Sequence, residues 1–137
     1  MTRMPGNVFF DTNVLIYALA QNDPRGARAE ALLAGGGVIS VQVLNEFVAV
    51  ARRRMRMPWK DVTKALQAIQ VLCPSPVPVT ISTHESALEV AKDHGFEIYD
   101  ALIIAAAMES SCSTLYSEDL HHGQVIGRTL TILNPFR

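Results

Sequence analysis

Val8-Phe9-Phe10-Asp11-Thr12-Asn13-Val14-Leu15-Ile16-Tyr17 carries a short apolar segment into an acid and then, with no linker, into helix-like sequence. The run ended by Asp11 reads as a buried strand, and Val14 to Ala20 as helical sequence directly after it. The alternation recurs along the chain. Asp23-Pro24 looks like an N-cap with proline at the first helical position, opening a helix over Arg25 to Ala34 that Gly35-Gly36-Gly37 stops. Val38-Ile39-Ser40-Val41 is a second strand candidate, and Ser40 can cap a helix through Val43, Leu44, Phe47, Val48 and Ala51. Met57-Pro58 breaks that helix, and Trp59 to Leu72 supplies another. Pro74, Pro76 and Pro78 form a stiff connector to a possible short strand at Val79 to Ile81. Ser82-x-x-Glu85 reads as a capping box for a helix that runs to about His94 and stops at Gly95. Asp100 precedes Ala-Leu-Ile-Ile-Ala-Ala-Ala-Met, apolar on all sides and so a central helix. Thr114 to Tyr116 and Leu130 to Leu133 are the last strands. Strands separated by helices imply crossovers and a mainly parallel sheet covered on both faces, an α/β fold.

At 137 residues, the chain is expected to form a single domain over 1–137. With 49% hydrophobic and 18% charged residues, it is too apolar and too weakly charged for disorder. A net charge of −1 offers no global basic field, so any nucleic-acid contact must come from a local patch. Cys73 and Cys112 fit neither a C-x-x-C nor a Cys/His metal spacing and read as buried thiols in a reducing compartment. No apolar run is long enough to span a bilayer. Arg3 is followed by an apolar stretch that Asp11 and Asn13 interrupt, so a signal peptide is not expected. A cytoplasmic protein is the default expectation.

In parallel sheets ligands gather at the carboxyl ends of strands. Asp11, Asp100 and Asp119 stand at a strand end or at the start of the buried helix, and Glu46 follows the second strand by less than two turns. Each has a plainer reading. Asp11 and Asp100 suit helix caps, and Asp119 suits a turn. Glu46 lies on the edge of its helix's apolar arc, near Val50 and in line with Arg53, where an exposed glutamate is common. Together they place four carboxylates, from four successive strand–helix units, where such a sheet would collect them. Clustered carboxylates repel and take up protons unless compensated. A hard cation with oxygen preference, Mg²⁺ or Mn²⁺, compensates them. The combination suits hydrolysis of a phosphodiester.

Phe-Asp11-Thr12-Asn13-Val-Leu-Ile-Tyr, Asn45-Glu46-Phe, Tyr-Asp100-Ala-Leu-Ile-Ile-Ala-Ala-Ala and Tyr-Ser117-Glu118-Asp119-Leu-His-His-Gly together resemble a PIN domain, and more narrowly the bacterial VapC-type ribonuclease toxins. The resemblance runs from Val8 to Pro135 with the acidic blocks in family order. It implies a three-layer α/β/α sandwich around a mainly parallel sheet. It also implies a Mg²⁺- or Mn²⁺-dependent ribonuclease whose metal-binding, catalytic acids are Asp11, Glu46, Asp100 and Asp119. Thr12, Asn13 and Ser117 match secondary site positions. The implied partners are an RNA substrate, a cognate antitoxin with an arginine that reaches the acidic pocket, and a second copy of the chain in a homodimer, with no membrane.

Arg52, Arg53, Arg54 and Arg56 hold four of the twelve Lys and Arg within five positions. They suit either a helix C-terminus or phosphate contacts, with Arg53 and Arg54 the candidates for RNA binding. His121-His122 read as a solvated loop, and Gly35-Gly36-Gly37 lacks the Lys-Ser/Thr of a phosphate loop. Two other functions stay open. One is a PIN nuclease of RNA processing without an antitoxin. The other is a phosphoaspartate phosphatase or receiver, although Asn13 stands where the phosphatase pattern wants Asp and no lysine follows Lys92. A non-catalytic binding module would be favoured only by failure to bind metal.

Overall fold

The computed structural model describes residues 7–20 and 22–137; Arg3 lies outside them. The elements in chain order are β1 (Asn7–Phe10), α1 (Thr12–Leu19), α2 (Gly26–Ala34), α3 (Val41–Arg53), α4 (Trp59–Leu72), α5 (Ile81–His94), α6 (Ile98–Glu109), β2 (Cys112–Tyr116), β3 (Val125–Ile126) and β4 (Leu130–Leu133). The strands lie in the order β1-β2-β4-β3, parallel except for β3 against β4. Phe9 and Phe10 are consecutive, so they face opposite sides of the sheet, and both are fully buried. Helices therefore cover both faces, giving the expected three-layer α/β/α arrangement. Ala101 to Ala107 of α6 are all buried, as a central helix without a polar side requires.

Two expected strands are reduced to single bridges. Val38 meets Phe9 and Ser40 meets Val77, both parallel. The first segment ends early because the Ser40 hydroxyl accepts from the Val43 N–H at 3.3 Å and starts α3 at once. The second is centred on Val77, before the Val79–Ile81 strand that the sequence suggests. Val77 donates to the Ile39 carbonyl and accepts from the Val41 N–H, each at 2.9 Å. Pro76 and Pro78 on either side have no N–H, so the ladder stops after one residue.

Three helix starts differ from expectation. The capping box of α5 is Thr80 with Thr83, not Ser82 with Glu85. Thr83 is buried and also donates to Glu109 at 2.8 Å, so the same hydroxyl ties α5 to α6. At α2, Asp23 caps a turn by accepting from the Arg25 N–H at 2.9 Å, and the helix begins at Gly26. At α6, Glu97 takes the cap by accepting from the Tyr99 N–H at 2.9 Å, which places Asp100 inside the first turn. Strand β3 was not expected. Gly127 and Arg128, at φ 61° and 70°, fold it back on β4 as a hairpin.

Gly37 positions the Val38 bridge for a steric reason. A Cβ there would collide with the buried Phe10 ring and stand 3.0 Å from Val8 Cγ2. Gly37→Ala is expected to destabilise the fold by about 1–3 kcal/mol through overpacking, read as a lower Tm. An unchanged Tm would show that this approach is not tight.

Candidate active site

The carboxyl ends of β1 and β2 meet at Asp11. Its backbone N–H donates to the Tyr116 carbonyl at 3.0 Å, continuing the β1–β2 ladder by one bond. Its side chain is 5% exposed. One carboxylate oxygen accepts from the Thr12 N–H at 2.7 Å, capping α1, and the other from the buried Ser117 hydroxyl, also at 2.7 Å. The cap reading of Asp11 is thus realised by one oxygen, while the other is tied to Ser117. Ser117 Oγ accepts in turn from the Asp119 N–H at 3.2 Å, which starts the loop after β2.

The other acids converge on the same hollow. Asp11, Glu46, Asp100 and Asp119 line a cavity of about 300 Å³ together with Thr12, Asn13 and Arg54. Glu46 accepts from Thr12 Oγ1 at 3.3 Å and from Gln42, one turn earlier on α3, at 2.9 Å. Asn13 bridges α1 to the loop: its amide donates to Asp119 at 3.2 Å and its carbonyl accepts from the Glu118 N–H at 3.3 Å. No hydrogen bond reaches the Asp100 carboxylate among the described residues. Because Glu97 holds the cap of α6, Asp100 is left to face the cavity.

Electrostatics follow from this geometry. Burial pushes the Asp11 carboxyl from 3.8 to about 6. Its bonds from Ser117 and Thr12 act downward, while the charges of Glu46 and Asp100 act upward. Asp100 is also raised, by burial first and then by Glu97, Glu46 and Asp119. Among the described residues, no group of three His, Cys, Asp or Glu side chains is arranged to hold a metal ion as it stands. The donor chemistry nevertheless fits a hard cation: the facing groups are carboxylate oxygens, and burial together with neighbouring charge raises Asp11 and Asp100.

Several contributors have no local sequence signal. Arg25 donates to Glu118 at 2.9 Å across 93 residues, donates to the Tyr17 hydroxyl at 2.8 Å, and lies 3.8 Å over the Tyr17 ring. It also pairs with Asp23 at 2.9 Å, so one guanidinium pins the Ser117–Asp119 loop to the α1–α2 turn. Burial, followed by the neighbouring Glu118, pushes the Tyr17 hydroxyl up to about 12. The arginine cluster divides: Arg54 lines the acidic cavity, whereas Arg53 lines an adjoining hollow with Glu46 and Asp100. His121 and His122 are exposed, and His122 Nδ1 accepts from the Asn134 N–H at 2.9 Å. Cys73 and Cys112 are buried free thiols, pushed up to about 11 by burial. An apolar hollow of about 280 Å³, lined by Leu15, Leu33, Ile69 and Leu72 among others, holds no comparable set of acids.

The PIN domain family model matches residues 8–126. The chain belongs to the PIN domain family. Its fold is similar to that of a toxin–antitoxin complex from Klebsiella pneumoniae, with TM-score 0.70, 17% identity, and 94% of this chain and 98% of that chain covered. VapC20 of Mycobacterium tuberculosis, a sarcin-ricin loop cleaving toxin, aligns with TM-score 0.62 and 22% identity over 82% of this chain and 89% of its own. VapBC2 of Rickettsia felis, bound to a DNA fragment from its promoter, aligns with TM-score 0.65 and 18% identity over 93% and 98%. At these identities the likeness is one of fold. No curated protein sequence matches the chain.

Asp11 makes stability depend on pH in a defined direction. A carboxyl raised in the folded state opposes folding once ionised, so stability falls as pH rises from about 4 to about 6. Asp11→Asn keeps an acceptor for Thr12 and presents its amide to Ser117, without the charge. In chelator, the variant is expected to match wild type near pH 4 and to exceed it at pH 8 by about 2 kcal/mol in denaturant unfolding. A wild type at least as stable as the variant at pH 8 would refute the buried-charge account.

Proposed function

We propose that the chain is a Mg²⁺- or Mn²⁺-dependent endoribonuclease acting as the toxin of a toxin–antitoxin pair in the cytoplasm. The observation that carries the reading is the convergence of Asp11, Glu46, Asp100 and Asp119 from four parts of the chain on one polar cavity, with Asp11 buried. These four would hold the cation. When bound, it supplies positive charge to a phosphoryl oxygen and acidifies water. Among the described residues, no helix is long and apolar enough to cross a membrane.

The chain's own groups divide the remaining work. Asp11 is held at both oxygens and acts as a fixed anchor. Glu46 and Asp119 are oriented through Thr12, Gln42 and Asn13. Asp100, which no hydrogen bond restrains among the described residues, is placed to take a proton from the attacking water as that oxygen bonds to phosphorus and the phosphorus–oxygen bond of the leaving strand breaks, the leaving oxygen taking a proton from solvent. Arg54 offers positive charge on the cavity wall to the scissile phosphate. A partner's arginine entering the same carboxylates would block both cation and phosphate, which accounts for silencing by an antitoxin. In this reading the chain works as a homodimer.

The reading is tested with purified protein and RNA. Cleavage is expected with Mg²⁺ or Mn²⁺, none in chelator, and a loss of about 100-fold or more for Asp100→Asn. Induced wild type should arrest growth, with relief from a small partner protein encoded beside it. Cleavage without growth arrest would instead favour a processing nuclease. Full cleavage by Asp100→Asn, or in chelator, would overturn the assignment.

A further inference from the structure

The turn between α3 and α4 carries a feature that the acidic cavity does not use. Residues 52–64 hold six of the chain's twelve Lys and Arg and one of its thirteen acids. That short segment has an excess of five positive charges in a chain of net charge −1, leaving the remainder negative by six. All six cations are exposed, and none forms an ion pair among the described residues. Among them stands Trp59, the chain's only tryptophan, 60% exposed. An indole this open forgoes most of the apolar burial available to it.

The ring is nevertheless held in place. The Arg52 guanidinium lies 4.4 Å from its centroid and donates to the Met57 carbonyl at 2.8 Å. Pro58, at φ −62° and ψ 151°, stiffens the entry to α4 immediately before Trp59. A clamped cation lies over the indole, which is otherwise largely exposed among cations that form no ion pair in the described residues. From this turn, Arg53 leads to the hollow it shares with Glu46 and Asp100, and Arg54 to the acidic cavity itself. Glu46 and Arg54 are separated by about 12 Å along the axis of α3.

We propose that Trp59, backed by Arg52, is a stacking platform for an unpaired base of an RNA strand whose phosphates follow Arg53 and Arg54 into the acidic cavity. The proposal rests on the ribonuclease reading and adds to it a base-contacting residue outside the acidic cavity. Each base in a duplex is already stacked on both sides, whereas a splayed base can give its face to an aromatic ring. Stacking is tolerant of sequence, so the platform selects for an unpaired strand and not for a particular base.

The single tryptophan makes the test direct. The full chain is titrated in chelator with a short unpaired RNA oligonucleotide and with its fully paired duplex, following intrinsic fluorescence and, separately, anisotropy of the RNA. Saturable quenching by the unpaired strand, and not by the duplex, is expected. Trp59→Ala should weaken unpaired-strand binding by roughly 5- to 100-fold, while Trp59→Phe retains most of it. Bound RNA without quenching, equal quenching by duplex, or unchanged affinity in Trp59→Ala overturns the platform. A fluorescence change that tracks protein concentration without RNA also overturns it, assigning the indole to a contact between copies. Should Trp59→Ala lose its fold by circular dichroism, the wild-type quenching decides alone. Cleavage with Mg²⁺ is scored in parallel. Quenching without cleavage keeps the platform and removes the nuclease reading; cleavage without quenching does the reverse.

Discussion

The contact between Asp11 and Ser117, 2.7 Å long and buried, is the constraint on which the site depends. It joins the residue that follows β1 to the residue that follows β2, tying the ends of two parallel neighbours by side chains just past their backbone ladder. Through Thr12 the same aspartate starts α1, and through Ser117 it orients the backbone of Asp119. A charge held this way costs stability because its hydrogen bonds do not replace full hydration. The raised pKa expresses that cost. A buried carboxylate facing other carboxylates is better suited to receiving a cation than to stabilising an empty fold, which links the energetics of the fold to the proposed chemistry.

Much of this arrangement was legible in the sequence where the signal was local. The strand ended by Asp11, the Ser40 cap, the Pro58 break and the wholly apolar stretch after Asp100 each report a backbone event within a few residues, and the structure bears out all four. Asp11, Glu46, Asp100 and Asp119 stood out because they followed strands or opened a buried helix, and they line one cavity. What escaped depended on distant partners or on competition between neighbours. Glu97, and not Asp100, caps α6, a choice between two acids three residues apart. Thr83 replaces the expected Glu85 because the reciprocal bond needs only an acceptor oxygen, and burial against Glu109 selects the threonine. The Arg25–Glu118 pair spans 93 residues and leaves no periodic trace. The shortened ladder at Val77 was implicit in Pro76 and Pro78, whose missing N–H groups matter more than the apolar character of the sequence after them.

Net charge concealed a strong separation of charge. A balance of −1 divides into a basic turn around Arg52–Lys64 and an acidic remainder that includes the cavity. The two regions meet along α3, where Glu46 and Arg54 border the same space. A polyanion and a divalent cation can therefore be drawn to adjoining parts of one helix, each by the charge it lacks.

The central claim is that Asp11 is a carboxylate awaiting a cation, and proton release tests it most directly. Mg²⁺ can be titrated calorimetrically at pH 6 and pH 8 in buffers of different ionisation enthalpy. With an Asp11 pKa of about 6, binding at pH 6 should release about half a proton per ion, little at pH 8, and less in Asp11→Asn, with weakened affinity. Equal heats in all buffers at pH 6, or Asp11→Asn binding Mg²⁺ as tightly as wild type, would contradict the account.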